Sequence, residues 1–216
     1  MRRKIEIAPG TLAPTARSLW SAAIEKLLEA EYGLSQMVKA NDRIEFEQGW
    51  TRSVDSLEQF WTRFVDEGKQ RFTNFQPWAG AIDAQRKSDP LTHYLFQARH
   101  QSQHGCISLE WDAGQLQIAP GFSGHIRRLQ VFSDGTFIFD ADKAHDLVRE
   151  PTVVFSGGNA RLPVIINKRF NQIFSPPKAH CSRIFTELSP LEAIRLGIEY
   201  YNNNLKVALK KFSPKA

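Results

Sequence analysis

Hydrophobic positions divide the chain into stretches of two different periods. Over 14–41, Trp20, Ile24, Leu27, Leu34 and Val38 recur every three or four residues, interrupted by Glu31, as on one face of an α-helix. Pro14 or Thr15 starts this helix and Asn41-Asp42 breaks it. Phe46, Trp50, Val54, Leu57, Trp61 and Phe64 repeat the spacing in a second helix, with Gly68 near its end. Two long amphipathic helices joined by about five residues predict an antiparallel αα-hairpin, with the aromatic stripe in its core. The stretch FTNFQPWAGAIDAQRKSDP over 72–90 breaks the period with Pro77, Gly80 and Pro90, which predicts a loop with a short helical turn. Asp89-Pro90 then starts another helix, a capping carboxylate followed by proline at the first position, and Gly105 stops it.

After Gly105 the pattern changes to alternation. CISLEW, QLQIA, RRLQVF, TFIFD, PTVVF and LPVIIN are short, β-branched or aromatic, and separated by turn residues such as Asp112-Ala113-Gly114. Asp134-Gly135 between Val131 and Phe137 is the clearest hairpin signal. A small, mostly antiparallel sheet is expected across 106–170. Ser189-Pro190 opens a last helix, with Leu191, Ile194, Ile198, Tyr201, Leu205 and Leu209 on one face. The expected fold class is α+β: a helical core over 14–105, a β-rich insertion over 106–188, and a helix over 189–212 packing back on the core.

Composition narrows the class. A chain of 216 residues, 42% hydrophobic and 24% charged, is ordinary for a globular protein. No apolar run approaches the roughly 18 residues that cross a bilayer, so no membrane partner is expected. MRRKIEIAPG has no apolar segment after its charges and does not read as a secretory signal. The expected compartment is a reducing cytoplasm. Cys106 and Cys181 make no disulfide framework and no metal-ligand spacing, so both default to structural or incidental roles. The net charge of +5 is modest, with basic residues gathered at MRRK, at HIRR (125–128) and in LKVALKKFSPK. Solvated ends explain most of this, while His125, Arg127 and Arg128 form a candidate RNA-contacting edge.

The candidate chemistry lies in LTHYLFQARHQSQHGC. With Arg99 at zero on a helical wheel, His100 falls near about 100°, His104 near about 140° and Phe96 near about 60°. Leu91, Leu95 and Ala98 take the opposite side as the helix's own core face. A histidine exchanges protons near neutral pH, and a guanidinium offers paired donors to a phosphorane as its charge builds. That pairing suits metal-free cleavage of RNA. At the helix C-terminus the dipole favours imidazolium at His104, which fits an acid or an electrostatic role.

Arg99, His100 and His104 resemble the R-x(4–6)-H motif of the HEPN superfamily (higher eukaryotes and prokaryotes nucleotide-binding domain), in which a polar residue often follows the arginine. The resemblance covers 14–105 and 189–212, and the β segment departs from a simple HEPN bundle. It implies a metal-independent endoribonuclease without cofactor, in phage defence or stress response, whose site forms where the motif helices of two subunits meet. A homodimer is therefore expected, with an antitoxin or other protein as a further partner. Arg99 would hold the scissile phosphate, His104 would move a proton or stabilise charge, and His100 would orient the site. The alternative is a non-catalytic module, HEPN-like or unrelated, that binds a protein through the face around Phe96 and the sheet.

Other groupings have plainer readings. Asp140, Asp142 and His145 could form a cation site, but a strand-to-helix turn accounts for them. Ser156-Gly157-Gly158-Asn159 opens no helix and reads as a hairpin turn rather than a phosphate cradle. His93 reads as an ordinary exposed helix residue.

Overall fold

A computed structural model of the chain describes residues 19–104, 109–112, 115–118, 126–131, 137–141, 153–156, 159–167 and 171–212, with the backbone alone for 102–104 and for the strands between 115 and 156. The architecture is α+β, as the change of period predicts. Five helices stand among these residues: α1 (Ser21–Lys39), α2 (Arg43–Arg71), α3 (Phe75–Ser88), α4 (Pro90–His104) and α5 (Pro190–Phe212). Ten short strands precede α5: β1 (Glu110–Trp111), β2 (Gln115–Ile118), β3 (Ile126–Val131), β4 (Phe137–Ala141), β5 (Val153–Ser156), β6 (Ala160–Arg161), β7 (Ile165–Asn167), β8 (Gln172–Phe174), β9 (Ala179–His180) and β10 (Arg183–Ile184).

The chain forms two compact units. One holds all five helices together with residues 160–188, and the other is Trp111–Asn159. Residues 160–188, which fall inside the expected bounds of the β-rich insertion, group by their contacts with the helical unit. Among the described residues the strands pair as two-stranded ribbons. In the smaller unit β2 runs antiparallel to β5, and β3 to β4 with a register shift between Ile126 and Arg128. The expected hairpin is present as Val131 opposite Phe137, although its turn lies outside the described residues. In the helical unit β7 pairs with β8 and β9 with β10, again antiparallel.

In the αα-hairpin the second helix caps the first, while its own start is capped locally. Trp20, at the N-cap of α1, offers no side-chain acceptor. Glu67 of α2 accepts the Ala22 and Ala23 N–H groups instead, at 3.2 and 3.1 Å. At the start of α2, Asp42 accepts the Glu45 N–H at 2.8 Å, and Glu45 reaches back to the Asn41 N–H at 2.9 Å. From Trp50 onward the aromatic stripe of α2 is core, with Trp50, Val54, Leu57, Trp61 and Phe64 buried beside Trp20, Phe75 and Tyr201, while Phe46 is half-buried. On α1 the expected face drifts. Val38 is exposed and Met37 buried in its place. The cause is a close crossing of α1 and α2, where a Cβ on Gly49 would stand 2.7 Å from the Gly33 carbonyl oxygen and 2.8 Å from Met37 Cγ. The start of α1 expected at residue 14 lies outside the described residues.

Within 72–90, the expected loop is a helix over Phe75–Ser88. Pro77 sits in the first turn of α3, where its missing N–H would have had no intrahelical partner. Gly80 faces solvent, and tertiary burial of Phe75, Ala79 and Arg86 outweighs both helix breakers. Substituting the two glycines should separate the two situations. Gly49→Ala should cost about 1–3 kcal/mol by forcing the helices apart, and Gly80→Ala should gain about 0.5–1 kcal/mol. Urea denaturation midpoints compare them directly.

Candidate functional site

Helix α4 carries the Arg-His motif, and both its position and its rotation are set by specific contacts. Asp89 caps it, with Oδ1 accepting the Leu91 and Thr92 N–H groups at 3.1 and 3.0 Å. Thr92 Oγ1 donates to the Arg86 carbonyl at 2.7 Å, which joins α4 to the end of α3. Tyr94 Oη donates to the Pro163 carbonyl at 2.7 Å. Leu91, Leu95 and Ala98 are buried, as the helical wheel requires. Leu95 meets Gly197, where a Cβ would come within 2.8 Å of Leu95 Cδ1, so α4 and α5 cross closely.

This rotation turns Arg99 toward α2. Its Nε stands 4.0 Å from Asp55 Oδ1, with the guanidinium side chain about three-quarters covered at 24% exposure. Arg99 also lies close enough to Glu58 to favour that carboxylate's charged form. His100 is exposed, its ring 4.5 Å from the Phe96 ring in an edge-on arrangement. His104 closes α4 in backbone, and its side chain lies outside the described residues. Arg99 and His100 therefore share the end of α4, one leaning on α2 and the other facing outward. Arg127 and Arg128 lie on β3, with Arg128 opposite Asp140 in register. Their side chains, like Asp142, His145, His125 and Cys106, lie outside the described residues.

Behind Arg99 stands a buried ionic cluster that sequence reasoning missed. Arg86 of α3 donates to Glu58 Oε2 at 2.5 Å, to Tyr201 Oη at 2.9 Å and to Asp83 Oδ1 at 3.1 Å. Its guanidinium carbon lies 4.6 Å from the Trp61 ring centroid. Burial pushes the Glu58 pKa up, against the pull of Arg86 and Arg99, and burial likewise raises Tyr201. Glu58 pairs directly with Arg86 and lies within electrostatic reach of Arg99, whose own nearest carboxylate is Asp55. The signal in the sequence was the isolated Glu58 within an aromatic stripe. Its partner 28 residues away had no local signature.

His93 is corrected from an exposed residue to a half-buried one. Its ring lies 3.2 Å from Gln97 Nε2 and edge-on to Phe174 at 5.1 Å, and burial lowers its pKa. A second group missed in the sequence joins Asp89 to His180 and Cys181, three side chains whose ligand atoms lie within 4.8 Å of one another. Here Asp89 is held well below the usual carboxylate range, at about 2. Hydrogen bonds from His180 and the Thr92 and Cys181 N–H groups outweigh the opposing effect of burial. The Cys181 thiol is pushed up by burial and by Asp89, which argues against a thiolate nucleophile at neutral pH.

No protein-family model matches the chain, and no curated protein or solved structure gives a significant match. No helix among the described residues is long and apolar enough to cross a membrane.

The Arg86 cluster gives a direct test of what holds α4 in place. Arg86→Met should cost about 3–5 kcal/mol, because Glu58 is left buried without its cation. Glu58→Gln should cost less, since the amide still accepts from the guanidinium. Chemical denaturation of the two variants against the parent chain measures the order.

Proposed function

We propose that the chain is a metal-independent, HEPN-type endoribonuclease that works as a homodimer. The observation that carries this reading is the placement of Arg99 at the end of α4 beside Asp55, with His100 next to it and exposed. The guanidinium stays charged and offers a planar pair of donors, the geometry a phosphate accepts. In this reading Arg99 steadies the scissile phosphate and the phosphorane that follows it. His104 protonates the leaving 5′-oxygen or stabilises charge, and His100 orients the site. The motif helices of two copies together supply the second proton-transfer group, and Arg127 and Arg128 contact the RNA backbone. A role in phage defence or stress-triggered RNA cleavage, in the cytoplasm and under an antitoxin's restraint, follows from the resemblance alone.

A second reading, a non-catalytic module that binds another protein, is favoured by a different observation. Ile166 and Ile173 are cross-strand partners on β7 and β8, yet they are 49% and 67% exposed. Ile184 on β10 is 87% exposed. The adjacent, exposed Ile166 and Ile173 offer apolar area that a protein partner could cover.

The two readings separate in one assay. Purified protein incubated with total RNA in EDTA should cleave it, and Arg99→Ala and His104→Ala should each lose about 10²–10⁴-fold in rate. Arg127→Ala and Arg128→Ala should instead weaken RNA binding and each lower the salt dependence by about one unit. Sedimentation should show a dimer. Cleavage that survives both Arg99→Ala and His104→Ala rejects the ribonuclease, and absence of cleavage in the parent chain favours the binding module.

A further inference from the structure

The turn between β9 and β10 folds back on the first turn of α4 and presents three donor types at one point. His180 Nδ1 lies 2.9 Å from Asp89 Oδ1, across 91 residues of sequence. Cys181 Sγ lies 3.8 Å from the same nitrogen. The Cys181 N–H donates to Asp89 Oδ2 at 2.8 Å, which fixes the turn against the carboxylate. Cys181 and Ser182 take left-handed backbone angles, φ 49° and 86°, strained for residues with a Cβ. The imidazole is buried and packed edge-on to Tyr200 at 5.8 Å, so its plane is set before any ligand arrives. Cys181 is exposed, which leaves one side of the group open.

We propose that Asp89, His180 and Cys181 bind one divalent cation of borderline softness, with Zn²⁺ the best match. Oxygen, nitrogen and sulfur donors are the set this ion accepts, and three protein ligands leave its fourth position to water on the Cys181 side. Two ligands on a tetrahedral Zn²⁺ stand about 3.3–3.8 Å apart. The nitrogen–sulfur distance already fits. The oxygen–nitrogen distance is a hydrogen bond and must open by less than about 1 Å when the cation replaces the shared proton. The balance of protons is simple. Cys181 releases its thiol proton to solvent, the imidazole carries its proton on Nε2, and the Asp89 carboxylate is already ionised. Asp89 keeps its bonds to the α4 N–H groups, so a bound cation would link the β9–β10 turn to the helix that carries Arg99. The inference rests on this geometry alone and stands apart from the ribonuclease reading.

The test uses the full, reduced chain stripped of metal with a chelator and titrated with Co²⁺. One equivalent should bind with a thiolate-to-cobalt charge-transfer band in the near ultraviolet, and Zn²⁺ should displace it and raise the melting temperature. Cys181→Ser should abolish the band and weaken binding by at least about tenfold, whereas Cys106→Ser should keep both. Alkylating Cys181 in the folded Cys106→Ser chain gives the same readout without relying on how Cys181→Ser folds. Absence of the band in the parent chain, or a band that persists once Cys181 is substituted or blocked, overturns the proposal.

Discussion

A guanidinium that stays charged at any accessible pH has been placed where water barely reaches it, and the helical unit is arranged around that fact. Arg86 keeps only 6% of its side chain exposed, and its partners come from α2, α3 and α5. Leaving such a charge unpaired costs several kcal/mol, so the three helices cannot slide or rotate independently. The flat faces of Trp61 and Tyr201 complete the enclosure, at 4.6 and 5.5 Å from the guanidinium carbon. A lysine could not reproduce this, because the fork that reaches a carboxylate and a phenol at once is planar and belongs to arginine.

The same constraint reaches the Arg-His helix by two routes. The carbonyl of Arg86 takes the Thr92 hydroxyl, so the joint between α3 and α4 is fixed where the buried charge sits. Glu58, the main anion for Arg86, also feels Arg99. The start of α4 is tied separately, by an aspartate that caps the helix and takes a hydrogen bond from His180. The helix that carries the candidate chemistry is thus held at its beginning and along one side, while His100 remains outside.

Much of this was readable from residue order where the forces are local. The aromatic stripe of α2 follows helical spacing because burial acts on one face of a helix, and from Trp50 onward it is core. The start of α4 was marked by Asp89-Pro90, since capping is settled within a few residues of the terminus, and the stop expected at Gly105 lies outside the described residues. The reading failed at α3, where Pro77 and Gly80 signal a break. A proline in the first turn has no intrahelical bond to lose, and the buried Phe75 and Arg86 supply energy that propensity does not count. It also slipped by one residue at Met37 and Val38. There the close approach of Gly33 and Gly49, and not average periodicity, decides which side chain is covered.

Sequence by itself determined the α+β class, the pairing of the first two long helices, the core stripe and the helix on which Arg99 and His104 lie. These depend on neighbours within one or two turns, or on alternation along a strand. Tertiary structure alone decided that Arg99 leans toward Asp55, that Glu58, Arg86 and Tyr201 share a buried network, and that Asp89 meets His180 and Cys181. Each of these brings together side chains tens of residues apart, and 91 in the case of His180. Long-range contacts of this kind are chosen by how whole elements pack and by the cost of burying an unpartnered charge, and neither leaves a periodic trace in the chain.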